Sequence, residues 1–314
     1  HHPRPKTGML RAQHTPHTSS IRMIRAMIAG ADSPAGGELI RLLVHHPDVV
    51  VTAAYAPEHA GMPISTYHCG LAGDTDMCFA DAMQASDGDV LFIADDSTLP
   101  FDPWAPGMEH LRIVDMSHTA GSVPDMVLGI CELNRKPMVR GARMVHIPDP
   151  RAQLVSLALL PLAKSLLLSD GIKIEAQWPE GTNPAAWTAD VDTAIRELQS
   201  SWQSTMALTE QASDSKTSNV TVTVPTKVAL TQIQGLYADY NFVHLFPTAA
   251  TTPHVLNTMK CLINLSDGAD GASVRIHAML DPMVKGGAGN AVHAMNLLFG
   301  LQETTGLQLK ALTH

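Results

Sequence analysis

Short apolar segments alternate with amphipathic ones along the first part of the chain. Residues 24–30 predict a short buried strand that ends in glycine, and Ser33 and Pro34 then supply a helix cap and a proline at the first helical position. The apolar positions between residues 38 and 45 predict a helix with one broad apolar face, and residues 49–55 predict a second strand. A strand, a helix and a strand in this order predict a parallel sheet.

The pattern changes from buried strands to half-exposed ones near Gly171. Before it, short apolar runs bounded by turn residues predict two more strands of a doubly wound sheet, followed by an apolar helix. After it, alternating apolar and polar residues predict strands with one exposed face, and the polar stretch 209–219 predicts a loop. The remaining predicted strands are residues 89–94, 111–115, 219–224, 261–265 and 273–280, and the remaining helices are residues 154–168, 229–240 and 289–301.

The composition fits a folded protein with one large domain or two medium ones. The chain has 314 residues, of which 45% are hydrophobic and 16% charged, so it has ample apolar material for cores. The net charge of −9 offers no basic footprint for nucleic acid or an anionic membrane, and no apolar run is long enough to span a bilayer. The four cysteines form no CxxC pair and the sixteen histidines show no metal-ligand spacing. We therefore expect neither a disulfide framework nor a metal site.

The first 31 residues contain no acidic residue, yet they carry several arginines, serines and threonines. Acid-poor segments of this kind are typical of organellar transit peptides, so we expect a mitochondrial location, with a cytoplasmic one as the alternative. Two other interpretations stay open. The opening His1-His2 fits the remnant of a purification tag, and residues 1–22 fit a native arm that docks on a partner subunit.

Several segments spread over the chain have a recognisable order. The first is GADSPAGGELIRLL at residues 30–43, and the strongest is VKGGAGNAVHAMNLLFG at residues 284–300. Together these segments resemble the N-acetyl-γ-glutamyl-phosphate reductase family, in collinear order from about Met23 to Leu309. The other matching segments are residues 46–49, 61–65, 127–135 and 303–307.

The resemblance implies an α/β fold, with a Rossmann-type doubly wound parallel sheet and an inserted α/β (α+β) domain of the catalytic and dimerisation type. Applied to this chain, it predicts four parts. They are a basic N-terminal extension at residues 1–22, the Rossmann-type domain at 23–147, the inserted domain at 148–285, and a C-terminal helix at 286–314 that returns to the first domain.

The resemblance also implies a chemistry in which a cysteine thiolate forms a thioester, a histidine acts as acid or base, and NADPH supplies the hydride. The family's Asn-Pro-Gly-Cys motif falls on residues 147–150, which places Pro150 at the nucleophile, and its histidine falls near Trp187. Proline has neither a nucleophile nor an N–H, so we expect no catalytic residue at these degenerate positions. Cys131, the nearest cysteine in the sequence, is expected to be packed rather than reactive.

The implied NADP site is altered as well. Gly30 and Gly36 remain of the family's Gly-x-x-Gly-x-x-Gly turn, but Ser33 takes the middle position, where the backbone must approach a pyrophosphate. Asp32 would repel a phosphate at the same helix N-terminus. With Lys285 and Gly286, these residues form a vestigial cofactor site, and no cofactor is expected.

Other polar residues have a plainer explanation than chemistry. Asp95 and Asp96 follow the third predicted strand, and acids there more often cap a turn than act as catalysts or metal ligands. Lys216 lies near the position of a substrate-binding arginine in the family, and a solvated loop lysine is its favoured interpretation.

The favoured hypothesis is a catalytically inactive reductase-fold protein, a pseudo-enzyme that serves as a structural or accessory subunit of a larger assembly. Its partners would be other protein subunits, contacted through residues 1–22, and not nucleic acid. Two alternatives stay open. One is a protein that binds a nucleotide or an acyl ligand in the old cleft, and the other is an NADPH-dependent reductase of arginine biosynthesis with altered site residues.

Overall fold

The computed structural model describes residues 22–118, 123–179, 184–203 and 206–310. Within these residues the first sheet has six parallel strands in the order β2-β1-β3-β4-β6-β5. The order reverses between β1 and β3, as in doubly wound sheets, so the predicted α/β class is confirmed. The strands are β1 Ile24–Ala29, β2 Val49–Tyr55, β3 Val90–Ile93, β4 Arg112–Asp115, β5 Val127–Leu128 and β6 Met144–His146.

The second sheet also has six strands in the described part and is mixed, in the order β10-β11-β12-β9-β7-β8. The pairs β7–β8 and β10–β11 are parallel and the other pairs are antiparallel. Its strands are β7 Ile172–Trp178, β8 Met206–Ala212, β9 Ser218–Pro225, β10 Val243–Leu245, β11 Cys261–Asp267 and β12 Ser273–Leu280.

The helices connect the strands and cover the sheets. A π-helical turn, Val284–Ala288, leads directly into the last helix. The helices of the described residues are α1 Pro34–Leu43, α2 Ile64–Tyr67, α3 Cys131–Val139, α4 Pro150–Lys164, α5 Pro184–Leu198, α6 Leu230–Gly235, α7 Thr252–Val255 and α8 Gly289–Leu298. None of the helices in these ranges has the length and apolarity to cross a bilayer.

Each sheet has its own apolar core. The first core joins one face of the first sheet to α1, α3 and α8, and all ten residues of α8 are buried. The second core joins α4, α5 and α6 to one face of the second sheet, and every residue of α4 from 151 to 163 is buried. Because α4 is apolar nearly all round, it can pack between elements rather than cover a surface.

The structure departs most from the pattern-based prediction at three elements. The stretch 209–219 was predicted as a loop, but β8 extends to Ala212 as an edge strand, because backbone pairing with β7 does not depend on apolar side chains. The helix predicted at 229–240 ends at Gly235, and Tyr237 beyond it is buried, where its hydroxyl donates to the Ala158 carbonyl. The helix predicted at 154–168 begins earlier, at Pro150, and ends at Lys164.

Candidate functional site

A cavity of about 360 Å³ lies at the carboxyl ends of β1, β3, β4 and β6, between the first sheet and α5. Parallel α/β sheets place their ligand sites at this edge, so the cavity is the natural candidate site. Its lining residues are Ala35, Ala94, Met116, Ser117, His118, His146, Ile147, Pro148, Asp149, Pro150, Ala186, Trp187, Asp190, Pro282, Met283, Gly286, Gly287 and Ala288.

Pro150 forms part of the cavity wall and is the first residue of α4. Asp149 caps this helix, since its Oδ1 accepts the Arg151 backbone N–H at 2.9 Å, and its carboxylate also binds the Arg151 guanidinium through Nε and Nη2, both at 2.9 Å. Gly286 packs against the proline ring, and a Cβ on Gly286 would lie 2.7 Å from the Pro150 Cβ. The helix terminus is thus closed by side chains of the chain itself.

Trp187 lies on α5, also in the cavity wall, and its side chain is buried. Its ring packs edge-on against Trp178, with centroids 5.3 Å apart, and the Arg151 guanidinium lies 5.8 Å from the ring centroid. The indole Nε1 has no hydrogen-bond partner among the described residues. An indole can donate one hydrogen bond but cannot exchange protons near neutral pH, so Trp187 offers no acid or base.

The glycine turn after β1 is closed by its own hydrogen bonds. The Ser33 Oγ accepts the Gly36 N–H at 3.0 Å and donates to the Gly30 carbonyl at 2.7 Å, which makes Ser33 the cap of α1, as its favoured interpretation has it. Gly30 has a φ of +72°, a conformation that glycine adopts readily. A Cβ on Gly36 would lie 2.4 Å from the Gly30 carbonyl oxygen, so the close approach of helix and turn requires glycine there.

Two carboxylates flank this turn. Asp95 packs against it, since a Cβ on Gly30 would lie 2.2 Å from the Asp95 Oδ1, which also accepts the Ser97 N–H at 3.0 Å. Asp32 contacts the His59 Nδ1 at 2.9 Å. A dinucleotide pyrophosphate on this turn would meet like charge from Asp95 and would compete with Ser33 for the amide of Gly36. These contacts do not fit the pyrophosphate of NADP.

Lys285 and Gly286 take different positions, although they are neighbours in the sequence. Gly286 lines the cavity, whereas Lys285 is fully buried with its Nζ 2.8 Å from the Glu132 Oε1. Burial alone would raise the pKa of Glu132, but the charges of Lys285 and His293 outweigh it, so that pKa lies below its ordinary value. Lys285 therefore joins α3 to the segment before α8 rather than facing the cleft.

Three titratable groups in the cavity wall were not singled out from the sequence. Burial lowers the pKa of His146 to about 4, so this imidazole is neutral at pH 7. Burial, and then the nearby Asp149, raise the pKa of Asp190 to about 6. His118 contacts Asp96 through its Nδ1, which lies 2.6 Å from the Asp96 Oδ2. The position of Asp96 and His118 after neighbouring parallel strands was a usable indication that they meet.

None of the chain's cysteines lines the cavity. Cys131 and Cys261 are buried, and burial raises the pKa of the Cys131 thiol well above its ordinary value and that of Cys261 to about 12. Cys69 and Cys78 are exposed elsewhere on the first sheet's side of the molecule. Lys216 is exposed in the turn between β8 and β9, away from the cleft.

The sequence is similar over nearly its whole length to known reductases. Residues 25–140 match the family described as semialdehyde dehydrogenase, NAD binding domain. The N-acetyl-gamma-glutamyl-phosphate reductases of Bacteroides fragilis and Bacteroides thetaiotaomicron are each 33% identical to this chain, over 92% of it and 99% of the relative. The same reductase of Flavobacterium johnsoniae is 29% identical over the same shares.

Solved structures share the fold at lower sequence identity. Aspartate semialdehyde dehydrogenase II of Vibrio cholerae has a TM-score of 0.68 and 13% identity, over 89% of this chain and 99% of that one. A probable aspartate-semialdehyde dehydrogenase of Pseudomonas aeruginosa has a TM-score of 0.68 and 16% identity, over 88% and 99%. Taken with the reductase sequences, these likenesses confirm the predicted resemblance. The chain belongs to the N-acetyl-gamma-glutamyl-phosphate reductase family.

Proposed function

We propose that this chain is a catalytically inactive member of its family, which serves as a structural or accessory subunit of a larger assembly. One observation carries the proposal. Pro150, which stands where the resemblance expects the nucleophilic cysteine, is the first residue of α4 and forms part of the wall of the cleft. A proline there can neither attack an acyl carbon nor donate a backbone hydrogen bond to an oxyanion.

The surroundings of Pro150 support the same conclusion. A thioester mechanism needs a thiolate and a group that moves a proton to the departing oxygen, but the helix terminus is occupied by Asp149 and the position of the histidine by a buried indole. No lysine or arginine is among the described residues that line the cavity. An acyl phosphate carries several negative charges, so this wall is poorly suited to it.

The subunit role and the compartment rest on the sequence. The cores and the helix α8 are intact, whereas the changes fall on the cleft, which indicates that the fold is retained without the chemistry. The acid-poor segment at the start of the chain favours a mitochondrial assembly, contacted through residues 1–22. Residues 1–21 lie outside the described residues, so the arm and the address stay predictions.

The retained cavity favours one alternative, a ligand-binding role for the cleft. Its volume of about 360 Å³ falls within the range of small-molecule sites. A working reductase with altered residues is the remaining alternative, and it needs a nucleophile that none of the described cavity residues supplies.

A direct assay tests the proposal. The purified chain is incubated with N-acetylglutamate semialdehyde, phosphate and NADP, and NADPH formation is compared with that of the Bacteroides fragilis reductase under the same conditions. We expect no turnover above the enzyme-free control, because loss of a covalent nucleophile lowers rates by about 10⁴-fold or more. Phosphate-dependent NADPH formation would overturn the proposal.

The subunit role has its own test. The chain is tagged at its endogenous level and purified under mild conditions, and the mass of the recovered species is measured. We expect other proteins in fixed stoichiometry, with cross-links that include residues 1–22. Recovery of a free homo-oligomer would contradict the subunit role, and fractionation that places the chain outside mitochondria would contradict the address.

A further inference from the structure

The cleft is not filled by the residues that replace the implied catalytic ones. Trp187 and Pro150 form its walls, yet a cavity of about 360 Å³ remains between the first sheet and α5. Well-packed proteins contain few voids much larger than a water molecule, so a cavity of this size has room for a ligand of several heavy atoms.

The charges in the wall of this cavity are carboxylates. Asp149 is compensated, since it binds the Arg151 guanidinium and caps α4. Asp190 has no hydrogen-bond or ion-pair partner among the described residues, although its half-buried side chain lines the cavity. An unpaired carboxylate in such a place is costly unless it is protonated or meets a cation. A cationic ligand would therefore supply the partner that Asp190 lacks.

The rest of the wall is apolar or weakly polar. Met116, Ile147 and Met283 supply apolar surface, whereas the ring of Trp187 is fully buried against Trp178 and offers almost none. Flexible thioether side chains of this kind adapt to apolar groups of varied shape. The cavity thus combines one uncompensated negative charge with an apolar lining.

We propose that the cleft binds a small organic ammonium ion, with the cation against Asp190 and the apolar part against Met116, Ile147 and Met283. This inference rests on the proposed function, because an ammonium ligand and an anionic acyl phosphate would need opposite charges in the wall. It names the ligand class of a cleft that no longer carries out thioester chemistry.

Binding of such a ligand depends on pH in a defined direction. The titratable groups that share the cavity wall with Asp190 are Asp149, which caps α4, and His118 and His146 at the strand ends, and Arg151 on α4 binds Asp149. Because burial and Asp149 raise the pKa of Asp190 to about 6, its carboxylate is protonated in acid and cannot pair with the cation. We expect affinity for an ammonium ligand to fall below about pH 6 and to be constant between pH 7 and 8.

Calorimetric titration of the full chain with three compounds of similar shape tests the proposal. The probes are 2-phenylethylamine, which is cationic, 2-phenylethanol, which is neutral, and 3-phenylpropanoate, which is anionic. At pH 7.5 we expect the amine to bind about tenfold more tightly than the alcohol, because a charge-assisted hydrogen bond supplies a difference of this size. We expect the carboxylate to bind most weakly. Equal affinity for the amine and the alcohol would overturn the proposal. So would the absence of saturable binding of the amine at concentrations up to about 10 mM.

Two variants assign the effect to its residue. Asp190→Asn keeps the shape of the side chain and removes the charge. We expect the ratio of the amine's affinity to the alcohol's affinity to fall from about 10 to about 1 in this variant. Glu197→Gln is the matched control, since Glu197 lies on the same helix and does not line the cavity. If the amine still binds about tenfold more tightly than the alcohol in Asp190→Asn, the proposal is contradicted.

The two proposals fail in different ways. NADPH formation in the reductase assay would contradict the proposed inactivity, whatever the amine does. Absence of turnover together with equal binding of the amine and the alcohol would leave the inactivity standing and would refute the ammonium site alone.

Discussion

The residues that line the cleft differ in whether their side chains have partners within the protein. Pro150 packs against Gly286 at the capped start of α4, and Trp187 packs against Trp178 and Arg151. Asp190 has no such partner among the described residues, and burial, followed by the nearby Asp149, raises its pKa. The first two residues therefore stabilise the fold, whereas the third keeps a free functional group.

Restoring the thiol alone is not expected to restore a reductase. In Pro150→Cys the new thiol would stand at the N-terminus of α4, which favours the thiolate, but no histidine would stand at Trp187 to move a proton. We expect NADPH formation by Pro150→Cys to equal that of Pro150→Ser in the semialdehyde assay. Phosphate-dependent turnover by the cysteine variant alone would show that the rest of the site is still competent.

The raised pKa of Asp190 predicts how stability changes with pH. The folded chain holds this proton more tightly than the unfolded chain, so Asp190 reduces stability as pH rises from about 4 to about 6. We expect Asp190→Asn to be more stable than the parent at pH 8, on the order of 1 kcal/mol after allowing for solvent screening, and equal to it at pH 4. Urea unfolding at both pH values measures this.

The control for that experiment is Glu58→Gln, since Glu58 is exposed in a short turn after β2. Its free energy of unfolding is expected to follow that of the parent at both pH values. An Asp190→Asn gain that is as large at pH 4 as at pH 8 would show that the effect is one of packing, not of proton binding.

At the scale of elements, the two helices that point at the cleft are both closed at their N-termini. Ser33 caps α1 and Asp149 caps α4, each with its own side-chain oxygen. A helix N-terminus binds a phosphate through free amides, and each cap occupies one of them. A second link between elements is the buried ion pair of Lys285 and Glu132, which connects α3 to the π-helical turn.

Breaking this buried pair is expected to be costly. Glu132→Ala would leave the Lys285 ammonium fully buried without a counter-charge, so we expect a loss of about 3–5 kcal/mol in the free energy of unfolding. The double variant Glu132→Leu with Lys285→Met removes both charges, and we expect it to recover most of that loss. Chemical denaturation followed by circular dichroism measures both.

The matched control is Glu38→Ala on α1, which removes the partner of Arg41. That pair is also 2.8 Å apart but is partly exposed, so we expect its removal to cost about 0–1 kcal/mol. If Glu132→Ala and Glu38→Ala cost the same, or if the double variant is no better than the single one, the pair does not behave as a buried one.

At the scale of the whole molecule, the chain builds one core from segments that are far apart in sequence. The first core contains β1 and α1 from the start of the described residues, and α8 from near their end. The intervening segment from 172 to 280 forms the second sheet with its own core. Packing of α8 against α1 and α3 therefore closes the first core only after the intervening segment has been made.

Removal of α8 tests this arrangement. A chain that ends at residue 288 lacks the ten buried residues of α8, six of which belong to the first core, and we expect it to lose the cooperative unfolding of the first sheet. A chain that ends at residue 310 keeps α8 and is expected to unfold like the parent. Equal unfolding midpoints for the two truncated chains would mean that the first core is complete without α8.

Much of the fold could be predicted from local pattern because its elements are locally encoded. The apolar run before Gly30, the Ser33-Pro34 cap and the alternation at residues 219–224 have short-range physical causes, and the predicted strand at Ser273–Leu280 is the one observed. The edge strand β8 was missed because its side chains are polar and mostly exposed, and only backbone pairing with β7 defines it.

The sequence by itself determined the α/β class, the family and the residues at the implied catalytic positions, because these depend on periodicity and on aligned motifs. Only the tertiary structure decided what surrounds those positions. Lys285, a cofactor residue by resemblance, is buried against Glu132, and Asp190 and His146, which no motif marks, face the cleft. Burial and charge partners arise from segments that are distant in sequence, so no local pattern reveals them. These contacts set the pKa of Asp190 and leave a cavity beside Pro150.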